Sequence, residues 1–333
     1  MNNKNDERLP EIFSGMTSRL DLASEANSLL RGEKNAEIAG VQEDIAQFSH
    51  AKVTAITILN EQGAEIMGRP IGKYITIDAP DIRFDKHLEA EISSILADVL
   101  RRLLPPNDGN RGTILLIGLG NNHATPDSLG PTVIDFTVAT RHLIKYSPEE
   151  IGENLSPLCT LAPGVLGITG IETAEIIKGV VSHVKPCCII AVDSLAAASI
   201  KRVSTTIQIA DTGINPGSGL GNKRTPIDKD TMGVPVIAIG VPTVVNTSVI
   251  IYETLTTLLR HWQEAGRQRI PHIDEETLAA VNDSLLSTFD GNMVVTPKEI
   301  DQLVFNISRI IAAGIAQAVH RDVDKSNYHL YIQ

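Results

Sequence analysis

Apolar residues fall into two kinds of run along the chain. In the first they recur every three or four positions. Leu88, Ile92, Ile95, Leu96, Val99, Leu100 and Leu103 mark one helical face, and Pro105-Pro106 ends it. Similar spacing predicts helices over 129–146, 170–184, 247–263 and 297–321. Pro131 falls in the first turn of the 129–146 helix, where proline is tolerated. In the second kind the apolar residues are nearly contiguous: "TILLIGLG" at 113–120, "CCIIAVDS" at 187–194, "TTIQIAD" at 205–211 and "VPVIAIGVP" at 234–242.

Strands without alternation are buried on both faces. Interleaved with helices, they predict an α/β fold, three-layer α/β/α, around a mostly parallel sheet. Upstream, "VTAITILN", "GAEIMGRP" and "GKYITIDAP" are separated by turn residues and read as short strands or a hairpin. They form either a small additional β element or an edge of the main sheet. Residues 1 to about 50 are polar and acidic. Residues 264–296 read as an insertion with one short helix.

The 333 residues permit one large or two modest domains. Aromatics make up only 4 %, so the core must come from Ile, Val, Leu and Ala. A net charge of −11 argues against a nucleic-acid partner, which needs a basic face. No contiguous apolar stretch reaches the roughly 18 residues that span a bilayer. The start, "MNNKNDERLPEIF", lacks the apolar region of a signal peptide. Neither a membrane partner nor export is expected, and the location is read as cytoplasmic. Cys159, Cys187 and Cys188 read as reduced core thiols, with a nucleophile or metal ligand as the other reading.

In open α/β sheets, ligands bind outside the carboxyl ends of the strands. Two such ends carry an acid: Asp127, in the loop after "ILLIGLG", and Asp193, closing "IIAVD". If those strands are neighbours, both carboxylates enter one crevice. Carboxylates about 3 Å apart cannot both ionise, so they share a proton. One can then act as acid and the other as base, hydrolysing a peptide bond with no cofactor and no metal. Each aspartate also has a bland reading, as a helix cap or loop hydrogen-bonder.

Other motifs carry less. "GLGNNH" has His123 where a dinucleotide fingerprint needs glycine. His123 has no second histidine at ligand spacing. "DTGINPGSGLGNKR", 211–224, has no Gly-Lys-Ser/Thr for phosphate, and Gly217-Ser218-Gly219 lacks nucleophile-elbow spacing. It reads as a loop bordering the crevice that grips a peptide, with Asn215, Gly217, Ser218 and Gly219 as candidate substrate contacts.

"LLIGLGNNHATPDSLGP", "LAPGVLGITGIETAEIIKGVV", "PCCIIAVDSLAAAS", "IQIADTGINPGSGLGNKR" and "MGVPVIAIGVPTVV", in that order, resemble the germination proteases of spore-forming Firmicutes. The resemblance implies an aspartic-type, metal-independent endopeptidase that degrades small acid-soluble spore proteins in the spore core. It also implies a homotetramer, made as a zymogen, with a phosphorylase/hydrolase-like fold. The family's two essential aspartates fall on Asp127 and Asp193. Its substrates are cut after Glu in a sequence like Glu-Phe/Ile-Ala-Ser-Glu, and residues 21–25 read Asp-Leu-Ala-Ser-Glu. Self-processing is therefore expected between Asp21 and Leu22, which makes 1–21 a propeptide and 22–333 a single peptidase domain. Without the resemblance, the same stretch reads as a frayed terminus leading into a helix at about 22–31. Three alternatives stay open: a metal-dependent maturation peptidase of the same fold, an inactive binding homologue, and a nucleotide binder.

Overall fold

The computed structural model describes residues 21–31, 37–83, 85–106, 112–147, 155–216, 224–266, 280, 284 and 293–333. Its strands are β1 (Val41–Gln47), β2 (Lys52–Ile58), β3 (Gly72–Asp78), β4 (Ile114–Gly118), β5 (Leu158–Leu161), β6 (Cys188–Ala197), β7 (Thr206–Ala210), β8 (Val236–Asn246) and β9 (Val294–Val295). The helices that matter here are α1 (Ala23–Arg31), α2 (Glu61–Met67), α3 (Glu89–Leu103), α4 (Leu129–Phe136), α5 (Arg141–Tyr146), α6 (Thr173–Val184), α7 (Thr247–Glu264) and α8 (Ile300–Val319).

One sheet has the order β1-β2-β3-β7-β8-β6-β4-β5, and β9 pairs with the end of β8. The contiguous apolar runs are its centre. Every residue of β4 and β7 is buried, as are the first ten of β8. The sheet is mixed, where the sequence predicts a mostly parallel one. β5, β4, β6 and β8 run parallel; β8, β7, β3, β2 and β1 pair antiparallel. Burial on both faces makes a strand apolar throughout, whichever way its neighbour runs, so the pattern does not encode direction.

Alternate strand positions feed different apolar clusters. Ile114, Leu116, Ile190, Val192, Ile237 and Ile239 pack with α3 and α8. Leu115, Ile117, Ile189, Ala191 and Val236 pack with Ala174 and Ile177 of α6. Ile56, Ile58, Tyr74 and Ala210 pack with Ala23 and Ala26 of α1 and Met67 of α2. α8 is, by length and composition, apolar enough to cross a membrane, contrary to the sequence expectation. It is 72 % buried inside the protein, where it packs on α3 and α4.

Three local expectations are corrected. The 53–79 stretch lies at one edge of the main sheet, and its middle, "GAEIMGRP", belongs to α2 rather than a strand. Asn60 caps that helix, accepting from the Gly63 N–H, and Gly68 closes it in the left-handed conformation. The polar stretch before it contains β1, an exposed edge strand. The helix expected over 129–146 breaks into α4 and α5, because Thr137 turns extended and bridges to Ile332. Most of 264–296 lies outside the described residues; Val294 and Val295 form β9.

Candidate active site

β4 and β6 are parallel neighbours, paired from Ile114↔Cys188 to Gly118↔Val192. β4 stops there, while β6 continues beside β8. Asp193 is thus the first residue of β6 beyond the end of β4, at the carboxyl edge where α/β sheets open a crevice. The chain leaving β4 folds back over that edge. The Asn121 N–H donates to both the Asp127 carbonyl and its Oδ2, each at 2.9 Å. The buried Thr243 hydroxyl of β8 donates to the Pro126 carbonyl at 2.6 Å. The turn needs Gly120 at φ +114°, where an added Cβ would sit 2.0 Å from the Asp127 carbonyl oxygen. These bonds fix Asp127 over the strand end.

Asp127 and Asp193 line one cavity of about 450 Å³, together with Asp21, Asn215, Arg224 and Thr243. Asp193 is only 5 % exposed, and its Oδ1 accepts from the Ser194 N–H at 2.9 Å. Burial pushes its carboxyl well above the usual range, and the Asp127 charge pushes it further. Asp127 is also raised by burial, and is eased back by the Asn121 N–H and Arg224. The two acids therefore line one cavity and feel each other's charge, and the upward push is the stronger on Asp193. Among the described residues, Arg224 is the cation that favours the ionised form of both acids.

The segment Asp21–Glu25 is docked against β6 and β7. The Asp21 carboxylate accepts from the Ala196 N–H at 2.9 Å, and its backbone carbonyl accepts from Gln208 Nε2 at 2.9 Å. Leu22 and Ala23 are fully buried. Ser24 accepts from Arg202 at 2.7 Å, and the Glu25 carboxylate takes the Ala198 N–H at 3.2 Å. Arg202 Nε lies 3.6 Å from Glu25. The Leu22 carbonyl accepts the first helical bond, from Ala26, so the Asp21–Leu22 peptide lies just outside α1.

The structure thus brings Asp21, Asp127, Asp193 and Asn215 to one cavity, with Leu22 buried beside it. Gly217, Ser218 and Gly219 lie outside the described residues. His123 is exposed at the loop tip. Among the described residues, no group of three or more His, Cys, Asp or Glu side chains could hold a metal ion. Arg224, Arg202 and Gln208 were not singled out in the sequence. Only Arg224 had a signal there, as the basic end of the Gly-rich loop.

Glu25 carries a pH dependence. Burial raises its pKa to about 7, against Arg202 and the Ala198 N–H, with Asp21 and Asp78 adding to the rise. Arg69, after α2, also faces it. A carboxyl raised in the docked state takes up a proton on docking. Docking is therefore tightest below about 4.5, the ordinary value, and loosens as pH rises through about 7. We expect amide exchange over residues 23–27, corrected for its intrinsic rate, to speed up between pH 5.5 and pH 8. Glu25→Gln should flatten that response; an undiminished response would assign it to another group.

A crevice at the carboxyl ends of parallel strands, holding two coupled acids and a docked stretch of chain, defines a peptide-binding α/β protein with acid–base capability. The family model described as germination protease matches residues 18–280 and 269–332. The germination protease of Clostridium tetani is 41 % identical over 324 residues, covering 95 % of this chain and all of the relative. That of Caldanaerobacter subterraneus subsp. tengcongensis is 43 % identical over 308 residues, 90 % of this chain and 94 % of its own. The Bacillus subtilis protein is 36 % identical over 354 residues, 94 % and 96 % respectively. The chain belongs to the germination protease family, and so to the peptide hydrolases.

Proposed function

We propose that this chain is an aspartic-type endopeptidase of the spore core. It cuts small acid-soluble spore proteins after an acidic residue, and is made as a zymogen that processes itself between Asp21 and Leu22. The observation that carries this reading is the shared cavity of Asp21, Asp127 and Asp193. In the half-ionised pair, Asp127 accepts a proton from water as the water oxygen bonds to the scissile carbonyl carbon. The Asp193 proton passes to the carbonyl oxygen. On collapse, the proton on Asp127 goes to the leaving nitrogen, and a hydroxyl proton returns to Asp193. Arg224 limits the repulsion while both acids are engaged.

The docked segment supports the zymogen reading, because it occupies the room a substrate needs. Acidification from above neutrality protonates Glu25 and favours the half-ionised pair, so docking and cleavage both gain until the pH is low enough to protonate Asp127 as well. A homotetramer within a three-layer fold completes the proposal.

Purified full-length protein held at mildly acidic pH should lose residues 1–21 and show Leu22 as its new N-terminus by mass spectrometry. Processing and cleavage of a Glu-Ile-Ala-Ser-Glu peptide should proceed unchanged in excess chelator. Loss of both in chelator, restored by a divalent metal, would replace this mechanism with metal-assisted hydrolysis.

A further inference from the structure

Gln208 is a polar side chain in the middle of a buried strand, only 8 % exposed. It pairs with Gly240 on β8, and Gly240 pairs with Asp193 on β6. The three residues form one row across the sheet, with their side-chain directions on one face. Two strand spacings put the Gln208 and Asp193 Cα atoms about 10 Å apart. The position between them has no side chain of its own, and the Leu195 side chain packs over it, 2.4 Å from where a Cβ on Gly240 would lie.

The amide of Gln208 grips the segment 21–23 at both of its ends. Its Nε2 donates to the Asp21 carbonyl oxygen at 2.9 Å, and its Oε1 accepts from the Ala23 N–H at 2.5 Å. These are the carbonyl before the proposed cut and the second N–H after it. Held this way, the Asp21–Leu22 peptide is bracketed by one rigid side chain. Its carbonyl is polarised by a fixed donor in a buried site, where such a donor is worth more than in water. The same contact orients the Gln amide, since Oε1 must face an N–H and Nε2 a carbonyl.

Resting on the proposed cut at Asp21–Leu22, we propose that Gln208 is a third catalytic residue, donating to the scissile carbonyl oxygen while its Oε1 fixes the backbone two residues beyond. Asp193 and Asp127 move protons; Gln208, which lines an adjoining cavity that shares Asp21 and Leu195 with theirs, holds the carbonyl and stabilises the charge that develops on its oxygen. The contacts are to backbone atoms, so the same grip applies to any substrate sequence that enters the groove.

The test uses the full-length chain. Gln208→Met keeps the side chain's length and loses both polar atoms; Gln208→Glu keeps Oε1 and loses the donor. Single-turnover self-processing should slow about 100-fold or more in Gln208→Met, the range for losing one such donor. Gln208→Glu should be slowed comparably above the pH at which its carboxyl ionises, and should recover part of the rate in acid, where a protonated carboxyl can donate again. A second arm gives processed enzyme a peptide in which the first amide beyond the scissile bond, the one that carries the N–H equivalent to that of Ala23, is replaced by an ester. Wild type should cleave this ester several-fold more slowly than the parent peptide, and Gln208→Met should treat the two alike. A variant that merely folds poorly would slow both peptides while keeping their ratio, and that result overturns the proposal. So does Gln208→Met processing at the wild-type rate to a Leu22 terminus, which leaves the Asp127–Asp193 reading standing. A wild-type protein that never yields Leu22 sinks that parent reading, and this one with it.

Discussion

Asp193→Asn is expected to lower kcat/KM for a Glu-Ile-Ala-Ser-Glu peptide by at least about 100-fold, and to stop self-processing on the same scale. Asparagine keeps the shape and can still accept from the Ser194 N–H. It has no proton to give to the scissile carbonyl. Asp127→Asn should cost a similar factor, by removing the base. The double variant should be hardly worse than either single one, because a proton relay fails once when either end is missing. If the two losses multiply instead, the aspartates act independently and the paired mechanism fails. The pH profile gives the sign. Under the proposed mechanism activity needs Asp127 ionised, so it should rise as pH climbs through a value above the ordinary 3.8. The same mechanism needs Asp193 protonated, so activity should fall again as pH climbs further, since the carboxyl of Asp193 is pushed well above the ordinary range. Asp193 is raised in the folded state, so its contribution to stability is full at low pH and is lost as pH rises through its folded value. Asp193→Asn should therefore match or exceed the wild-type Tm at pH 8 while losing activity, the trade expected of a strained functional group.

The two aspartates were legible in the sequence because Asp193 closes an apolar run and Asp127 sits in the loop that follows one, and burial on both faces needs no partner to be recognised. That their strands are adjacent was not legible; it follows from the sheet order, which no run of side chains encodes. Gln208 was hidden for the opposite reason. In "TTIQIAD" a lone polar residue looks like a solvent-facing position, and only the placement of β7 between β3 and β8 buries it. Arg202 follows β6 in a short helical turn at 200–202, and its role depends on α1 docking from far along the chain. β1 escaped notice because an edge strand with one open face needs few apolar residues, and Gln42, Asp44 and Gln47 stand at exposed positions in it. α2 escaped because seven residues give too few turns for a period to show, and Gly63 sits inside it. The Asp-Leu-Ala-Ser-Glu stretch leads into a helix, and its first residue, Asp21, lines the cavity of Asp127 and Asp193.

Gly130→Ala should damage the protein more than any single methyl on its surface would. Gly118 ends β4 and Gly130 lies in the first turn of α4. A Cβ on Gly130 would lie 2.2 Å from the Leu119 carbonyl oxygen and 2.4 Å from the Leu119 nitrogen. A Cβ on Gly118 would lie 2.2 Å from the Gly130 oxygen and 2.4 Å from its carbonyl carbon. All of these neighbours are backbone, so no rotamer relieves the overlap; strand and helix must separate. Overpacking of this kind costs about 1–3 kcal/mol, or a Tm drop of roughly 2–10 °C in a chain of this size. The activity loss should be larger than the stability loss suggests. The backbone joining the two glycines is the loop that carries Asp127, and a shift of about 1 Å there can cost on the order of 100-fold. Gly118→Ala should behave alike, and the double variant should be less than additive, because the first methyl opens the gap the second would fill. Thermal denaturation and single-turnover processing measure the two effects separately. A Gly130→Ala protein with wild-type Tm and rate would show that β4 and α4 can part without moving Asp127, and the glycine crossing would then have no hold on the chemistry.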